Sequence, residues 1–139
     1  RSEFALGGRA DSYYEYLLKQ RLLGPEEGTQ DFRDLFLAFM EELPELLRPR
    51  PGPSEAEGEG GSRSPSLHRR NLRYRVISLD AGGRPIWKME HLSCFVPGVI
   101  ALALLTLSPK DVEPHRARWT EIAEGITGAC VEMWAITAT

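Results

Sequence analysis

Residues 29–47 read TQDFRDLFLAFMEELPELL, and this stretch decides the fold class. Its large apolar residues recur three and four positions apart, which places them on one side of a helix. Pro44 has no backbone N–H, so we expect it to kink this helix near its last turn. The apolar stripe consists of Phe32, Leu35, Phe36, Phe39, Met40, Leu43 and Leu47.

Three further segments predict helices around this one. One predicted helix covers residues 12–23, with Asp11 or Ser12 as its cap, and it ends before a Gly-Pro pair. Residues 97–107 are apolar on nearly every side, which is typical of a helix buried all round. Residues 114–137 carry a single apolar stripe, made of Trp119, Ile122, Ile126, Cys130, Met133 and Ile136. The pattern therefore predicts a mostly helical, all-α protein.

The pattern changes between residues 49 and 87. Residues 49–66 are rich in Pro, Gly, Ser and Glu and contain no large apolar residue, so we interpret them as a long disordered, flexible insert. Further along, apolar and basic residues alternate from Leu72 to Val76, and residues 80–83 read DAGG, a turn signal. Residues 72–87 are therefore predicted to form one β-hairpin.

The composition excludes several classes of protein. The 139 residues include 17 Lys+Arg and 20 Asp+Glu, and this net charge of −3 argues against a nucleic-acid-binding protein. The longest nearly apolar run, residues 95–107, is shorter than the roughly 20 residues needed to span a bilayer. No targeting segment is visible, and the chain begins with Arg1 rather than Met. We therefore expect a piece of a longer protein.

Polar and aromatic residues are densest in residues 8–20, GRADSYYEYLLKQ. Asp11 and Glu15 lie four positions apart, so they share one face of the predicted helix and could present two carboxylates together. The start of a helix favours an ionised Asp11, and Arg9 could orient a carboxylate or a sugar hydroxyl. The structural alternative is that Asp11 caps the helix, Glu15 pairs with Lys19, and the tyrosines are half-buried core residues.

A second candidate cluster is residues 88–95, KMEHLSCF. Glu90 beside His91 could be an acid/base pair, a metal pair or a clamp on a substrate. The alternative is that His91 is a satisfied core or capping histidine that leads into the apolar helix. The three histidines have no mutual metal-ligand spacing, and we predict no metal site within this sequence.

Together, residues 8–20 and 88–98 resemble the class I α-1,2-mannosidases, glycoside hydrolase family 47. The resemblance covers most of the chain apart from the 49–66 insert and implies a partial catalytic domain over residues 1–139. It further implies a fragment of an (α/α)7 barrel and an inverting glycosidase that removes α-1,2-linked mannose from high-mannose N-glycans with bound Ca²⁺.

The resemblance assigns roles residue by residue. Asp11 matches a catalytic aspartate, and Arg9 matches a substrate-contacting arginine typical of the endoplasmic-reticulum type. Glu15 matches an acidic position that supports the sugar pocket. His91 matches a histidine that lines this pocket. Glu90 stands where the family has Asp, a departure in the same substrate-binding motif.

Cys94 and Cys130 occupy the places of a family disulfide. We expect the helices at 97–107 and 114–137 to pack antiparallel, which would bring both cysteines to one end of the pair. Two cysteines are too few for a disulfide scaffold, and the alternative is a pair of buried free thiols.

The remaining catalytic carboxyls and the calcium ligands of the family are expected outside these residues. We therefore expect the chain alone to be inactive, within a parent protein of the endoplasmic reticulum or early secretory pathway that is membrane-anchored upstream. The competing interpretation is a mannosidase-like protein that recognises glycans on misfolded glycoproteins without efficient turnover.

Overall fold

The computed structural model describes residues 3–4, 6, 10–49, 74–76, 78–80, 82–86 and 88–137, and helices dominate this part of the chain. The α-helices are α1 (Asp11–Leu23), α2 (Gln30–Glu42), α3 (Val96–Thr106), α4 (Pro109–Val112) and α5 (Arg116–Thr137). The described residues also include short 3₁₀ helices at Glu26–Gly28, Leu43–Leu46 and His91–Phe95. The mostly helical fold predicted from the sequence is confirmed.

Among the described residues, small antiparallel sheets accompany the helices. Their strands are β1 (Glu3–Phe4), β2 (Leu47–Pro49), β3 (Tyr74–Val76), β4 (Ser78–Asp80) and β5 (Pro85–Ile86). One sheet has the order β1-β4-β5, and the other pairs β2 with β3 so that Leu47 lies opposite Val76. Beyond Pro49, which ends β2, the predicted insert at 49–66 lies outside the described residues.

The predicted helix over residues 29–47 is too long at its C-terminal end. The α-helix stops at Glu42, Leu43–Leu46 form a 3₁₀ turn, and Leu47 already begins a strand. Pro44 stands at the start of this turn, where its missing N–H costs no hydrogen bond. Proline therefore ends the α-helix here instead of kinking it.

The hairpin predicted for residues 72–87 is correct only in its second half. Strands β4 and β5 form a hairpin around the predicted turn, in which Gly83 adopts φ +75° and its N–H donates to the Asp80 carbonyl at 2.9 Å. Glycine suits this left-handed conformation because it has no Cβ. Strand β3 pairs instead with β2, a partner that lies before the insert in sequence.

The other helix predictions hold with small changes at their ends. The segment 114–137 is one long helix, α5, preceded by the single turn α4. Helix α3 runs from Val96 to Thr106, but the prediction that it is buried all round is wrong, because Leu105 is 83% exposed.

The hydrophobic core lies where α1 and α2 pack together and α3 packs on α5. Its centre is Trp119, which is 1% exposed and meets Phe36 edge-on with 6.3 Å between ring centroids. This contact joins α2 to α5, which lie on either side of the 49–66 segment in sequence. Helix α1 also contacts α3, so both halves of the chain share one core.

Candidate functional site

The fold brings the two motif segments together. Helix α1 carries most of the first motif, and it contacts both α3 and the short helix His91–Phe95, which carry the second. The segments lie about seventy positions apart in sequence. This contact makes the two segments the candidate for a shared site.

Asp11 is the first residue of α1, and Ala10 occupies the N-cap position. The expectation that Asp11 or Ser12 caps this helix is therefore wrong. A residue in the first helical turn lies near the positive end of the helix dipole, which favours a negative charge. Arg9, the predicted substrate-contacting arginine, lies outside the described residues.

Glu15 is engaged within its own helix. Its Oε1 lies 2.5 Å from Nζ of Lys19, one turn further along α1. The hydrogen bond to the Glu15 carboxylate raises the pKa of Lys19, whose ammonium also lies 5.7 Å from the centroid of the Tyr16 ring. The structural alternative for Glu15 is thus confirmed, and Glu15 is a carboxylate held by a lysine on the same helix.

The tyrosines of the first motif divide into two groups. Tyr14 is buried and stacks on Phe39 of α2 with ring centroids 4.1 Å apart, which fixes α1 against α2. Burial raises the pKa of Tyr14, and the nearby Glu42 carboxylate adds to the effect. Tyr13 and Tyr16 are more than half exposed, at 56% and 54%. Sequence reasoning missed the stacking on Phe39 because its partner belongs to another helix.

Glu90 and His91 stand at the entry to the second motif's short helix. Glu90 has extended backbone angles, with φ −86° and ψ 135°, and its carbonyl accepts a hydrogen bond from the Ser93 N–H at 2.9 Å. Its side chain is partly exposed and lies 3.6 Å from Nζ of Lys88. His91 is the first residue of the helix and is exposed, so it is not a core histidine.

A disulfide anchors this short helix. Cys94 and Cys130 are bonded, with their Cα atoms 6.0 Å apart, which confirms the pairing and excludes the alternative of free thiols. The bond joins the segment just before α3 to the second half of α5, so the two helices run antiparallel as expected. The anchor lies only one helical turn after His91, and this fixes the backbone that presents the imidazole.

The described residues do not assemble a metal site. No group of three or more His, Cys, Asp or Glu side chains lies close enough among them to hold a metal ion. Calcium takes six to eight oxygen ligands, often several carboxylates among them, and the described residues hold no cluster of three such side chains. No chemical step in this chain is therefore assigned to calcium.

The whole sequence identifies the class of protein to which this site belongs. Residues 1–139 match the family model of glycosyl hydrolase family 47, and the chain belongs to this family. The resemblance predicted from the two motifs is thereby confirmed.

Several characterised relatives are similar to the chain. It is 33% identical over 130 residues to the endoplasmic reticulum mannosyl-oligosaccharide 1,2-alpha-mannosidase of Homo sapiens, covering 94% of this chain and 15% of the relative. It is 32% identical over 137 residues to mannosyl-oligosaccharide alpha-1,2-mannosidase IA of Spodoptera frugiperda, covering 97% and 17%. The yeast endoplasmic reticulum enzyme of the same name as the human one is 31% identical over 147 residues, covering 96% and 23%. The chain thus spans less than a quarter of the length of these relatives.

Proposed function

We propose that this chain forms part of an inverting glycosidase that removes α-1,2-linked mannose from high-mannose N-glycans. Family membership and the names of the relatives support the reaction class. The observation that carries the proposal is the contact between α1, which begins at Asp11, and the short helix that begins at His91. Two motifs far apart in sequence meet in one place.

Each motif residue has a proposed role at this place. Asp11 acts on the attacking water or stabilises charge on the sugar, as a carboxylate at the N-terminus of α1. His91 and Glu90 contact the sugar from the opposing segment, and Arg9 selects the mannose branch. Glu15 supports the pocket, and its carboxylate pairs with Lys19.

An inverting glycosidase needs two carboxyl groups that flank the scissile bond, about 6.5–9.5 Å apart. Asp11 and Glu15 lie on successive turns of one helix, and the Glu15 carboxylate forms an ion pair with Lys19. They do not supply both roles. We propose that the second carboxyl and the calcium ligands come from other parts of a family 47 domain.

The proposed compartment is the endoplasmic reticulum or the early secretory pathway. Two of the relatives are named as endoplasmic reticulum enzymes, and a disulfide persists in an oxidising compartment. None of the helices in the described ranges is both long and apolar enough to cross a membrane. We propose membrane anchoring of the protein from the family resemblance alone.

The test uses a chimaera of the human relative in which the matched part of this chain, 94% of its residues, replaces the aligned segment of the relative. We expect this chimaera to release mannose from a high-mannose glycan. Asp11→Asn keeps the side-chain size but removes the charge, so kcat should fall by about 10²-fold or more, the scale usual for acid/base groups. Ser12→Ala, at the exposed neighbouring position, is the matched control and should leave kcat unchanged.

Two outcomes would contradict the proposal. Unchanged kcat in Asp11→Asn would leave Asp11 with a purely structural role at the helix start. A chimaera that folds and binds the glycan without releasing mannose would support glycan recognition without turnover instead.

A further inference from the structure

Three charged residues of the first motif lie along one line of helix α1. Asp11, Glu15 and Lys19 follow one another at intervals of four positions, so about one helical turn separates each from the next. Glu15 stands on the N-terminal side of Lys19, which is the more favourable order for a helical ion pair. Asp11 and Glu15 have proposed roles at the glycan site, whereas Lys19 has none.

The contact between Lys19 and Glu15 engages one oxygen of the carboxylate. Nζ of Lys19 lies 2.5 Å from Oε1 of Glu15. A carboxylate has two oxygens that accept hydrogen bonds, so Oε2 remains able to accept one from a ligand. The side chains of Glu15 and Lys19 are 36% and 41% exposed, and a ligand can therefore reach this pair.

A second contact restricts the lysine side chain. Its Nζ lies 5.7 Å from the centroid of the Tyr16 ring, within the range of a cation–π interaction. The hydrogen bond to Glu15 raises the pKa of Lys19, so the ammonium is charged at neutral pH. A free lysine side chain is flexible, and two partners at once reduce the number of positions that its ammonium occupies. Lys19 therefore offers the Glu15 carboxylate a charge of defined position.

The place of this pair matters more than its energy. An exposed ion pair adds little to the stability of a fold, because water screens the charges and ordering two long side chains costs entropy. Helix α1, however, contacts the short helix His91–Phe95, where the two motifs meet. An ion pair on this helix can therefore orient a carboxylate toward a ligand of the candidate site without being needed for folding.

We propose that Lys19 is a positioning residue for the glycan site: it holds Oε1 of Glu15 so that Oε2 accepts a hydrogen bond from a hydroxyl group of the mannose residue. This inference rests on the proposed function, because it takes a high-mannose glycan as the ligand. Lys19 itself does not react. It acts on the binding of the substrate, so its loss should raise KM and leave kcat nearly unchanged.

The test is a double-mutant cycle in the chimaera with the human relative. Lys19→Gln removes the charge and keeps a polar side chain. We expect KM to rise about tenfold, the scale of one lost hydrogen bond to a charged group, while kcat stays within about twofold. Lys19→Arg retains the charge and should keep KM within about threefold of the unsubstituted chimaera.

The second half of the cycle shows whether Lys19 acts through Glu15. Glu15→Gln should raise KM by itself, and addition of Lys19→Gln to this variant should raise KM no further, because the carboxylate that Lys19 holds is then absent. Lys110→Gln, at an exposed position of α4, is the matched control and should leave KM unchanged. The thermal midpoint should be the same in all these variants, since the pair is exposed.

The other outcomes overturn the proposal. An unchanged KM in Lys19→Gln would show that the ion pair has no part in binding. A further rise of KM in the double variant would show that Lys19 acts independently of Glu15. If the chimaera binds the glycan without releasing mannose, the proposed glycosidase activity fails alone, and the same cycle is then measured as dissociation constants of the glycan by calorimetry. A chimaera that folds and binds no glycan would overturn the positioning role as well.

Discussion

At the scale of single residues, the structure separates side chains that organise the backbone from those that are open to a ligand. Asp80 belongs to the first group. Its carboxylate accepts hydrogen bonds from the N–H groups of Gly82 and Arg84 at 2.8 and 3.0 Å, and from Nε of Arg84 at 2.8 Å. His91 belongs to the second group, because it is exposed at the start of its helix.

The Asp80 turn makes the β4-β5 hairpin sensitive to acid. Hydrogen bonds from the Arg84 backbone and side chain lower the pKa of Asp80 from its ordinary value of 3.8. The stabilisation is therefore complete above about pH 4 and is lost as the pH falls through the lower pKa of the folded state. The Asp80 N–H donates to the Arg84 carbonyl at 3.0 Å. We expect this N–H to exchange its hydrogen faster in acid than at neutral pH, after correction for the intrinsic pH dependence of exchange. Asp80→Ala should exchange fast at all pH values, and an unchanged protection factor in acid would contradict this role.

Arg9 provides a prediction about specificity. A guanidinium that contacts one branch of the glycan stabilises only that branch, whereas the reaction itself depends on other groups. In the chimaera, Arg9→Leu should relax which mannose branch is cut and retain most of the total activity. Separation of the product isomers by chromatography measures this, and an unaltered product ratio would refute the selective role of Arg9.

At the scale of elements, the sequence predicts what depends on neighbouring residues and misses what depends on distant ones. The periodicity of α2 and α5 is local, so both helices were predictable. The pairing of β2 with β3 joins residues on either side of the insert, and no local pattern encodes it. The end of α2 was misplaced because apolar spacing continues to Leu47, while the proline changes the backbone before that point.

The candidate site follows the same rule. The two motifs and their resemblance to a family predicted Asp11, Glu15 and His91 as site residues and also predicted the disulfide. The contact between α1 and the His91–Phe95 helix is tertiary, and so is the stacking that anchors Tyr14. The pairing of Glu15 with Lys19 was predictable as the structural alternative, since both residues lie on one helix.

The disulfide should be the strongest single constraint between two elements. It joins residues with a sequence separation of 36. In the loop-entropy model, a bond that closes such a loop stabilises the folded state by about 4 kcal/mol. Cys94→Ser with Cys130→Ser should therefore lower the free energy of unfolding by up to about 4 kcal/mol in denaturant titration. The Cys94→Ala and Cys130→Ala pair controls for burial of the serine hydroxyls. A loss below about 1 kcal/mol in both pairs would contradict this role.

At the scale of the whole molecule, one core is shared by two halves that the insert separates in sequence. The Phe36–Trp119 contact and the packing of α1 on α3 hold these halves together. The outward sides of α3 and α5 retain exposed apolar residues, with Leu105 at 83% and Trp134 at 64%. We therefore expect the purified chain to bind a hydrophobic dye in its folded state and to aggregate at high concentration.

The position of the carboxylates decides what the chain alone is expected to do to a glycan. Inversion at the anomeric carbon requires a proton donor on one side of the sugar and a base for water on the other. In this chain Asp11 and Glu15 lie one turn apart on the same helix, and the Glu15 carboxylate pairs with Lys19, so we expect that these two residues do not fill both roles. The purified 139 residues should release no mannose from a high-mannose glycan above the background of a heat-treated sample. The chimaera serves as the positive control at the same concentration, and its Asp11→Asn variant as the negative one. Turnover by the chain alone would mean that residues 1–139 contain both carboxyl groups.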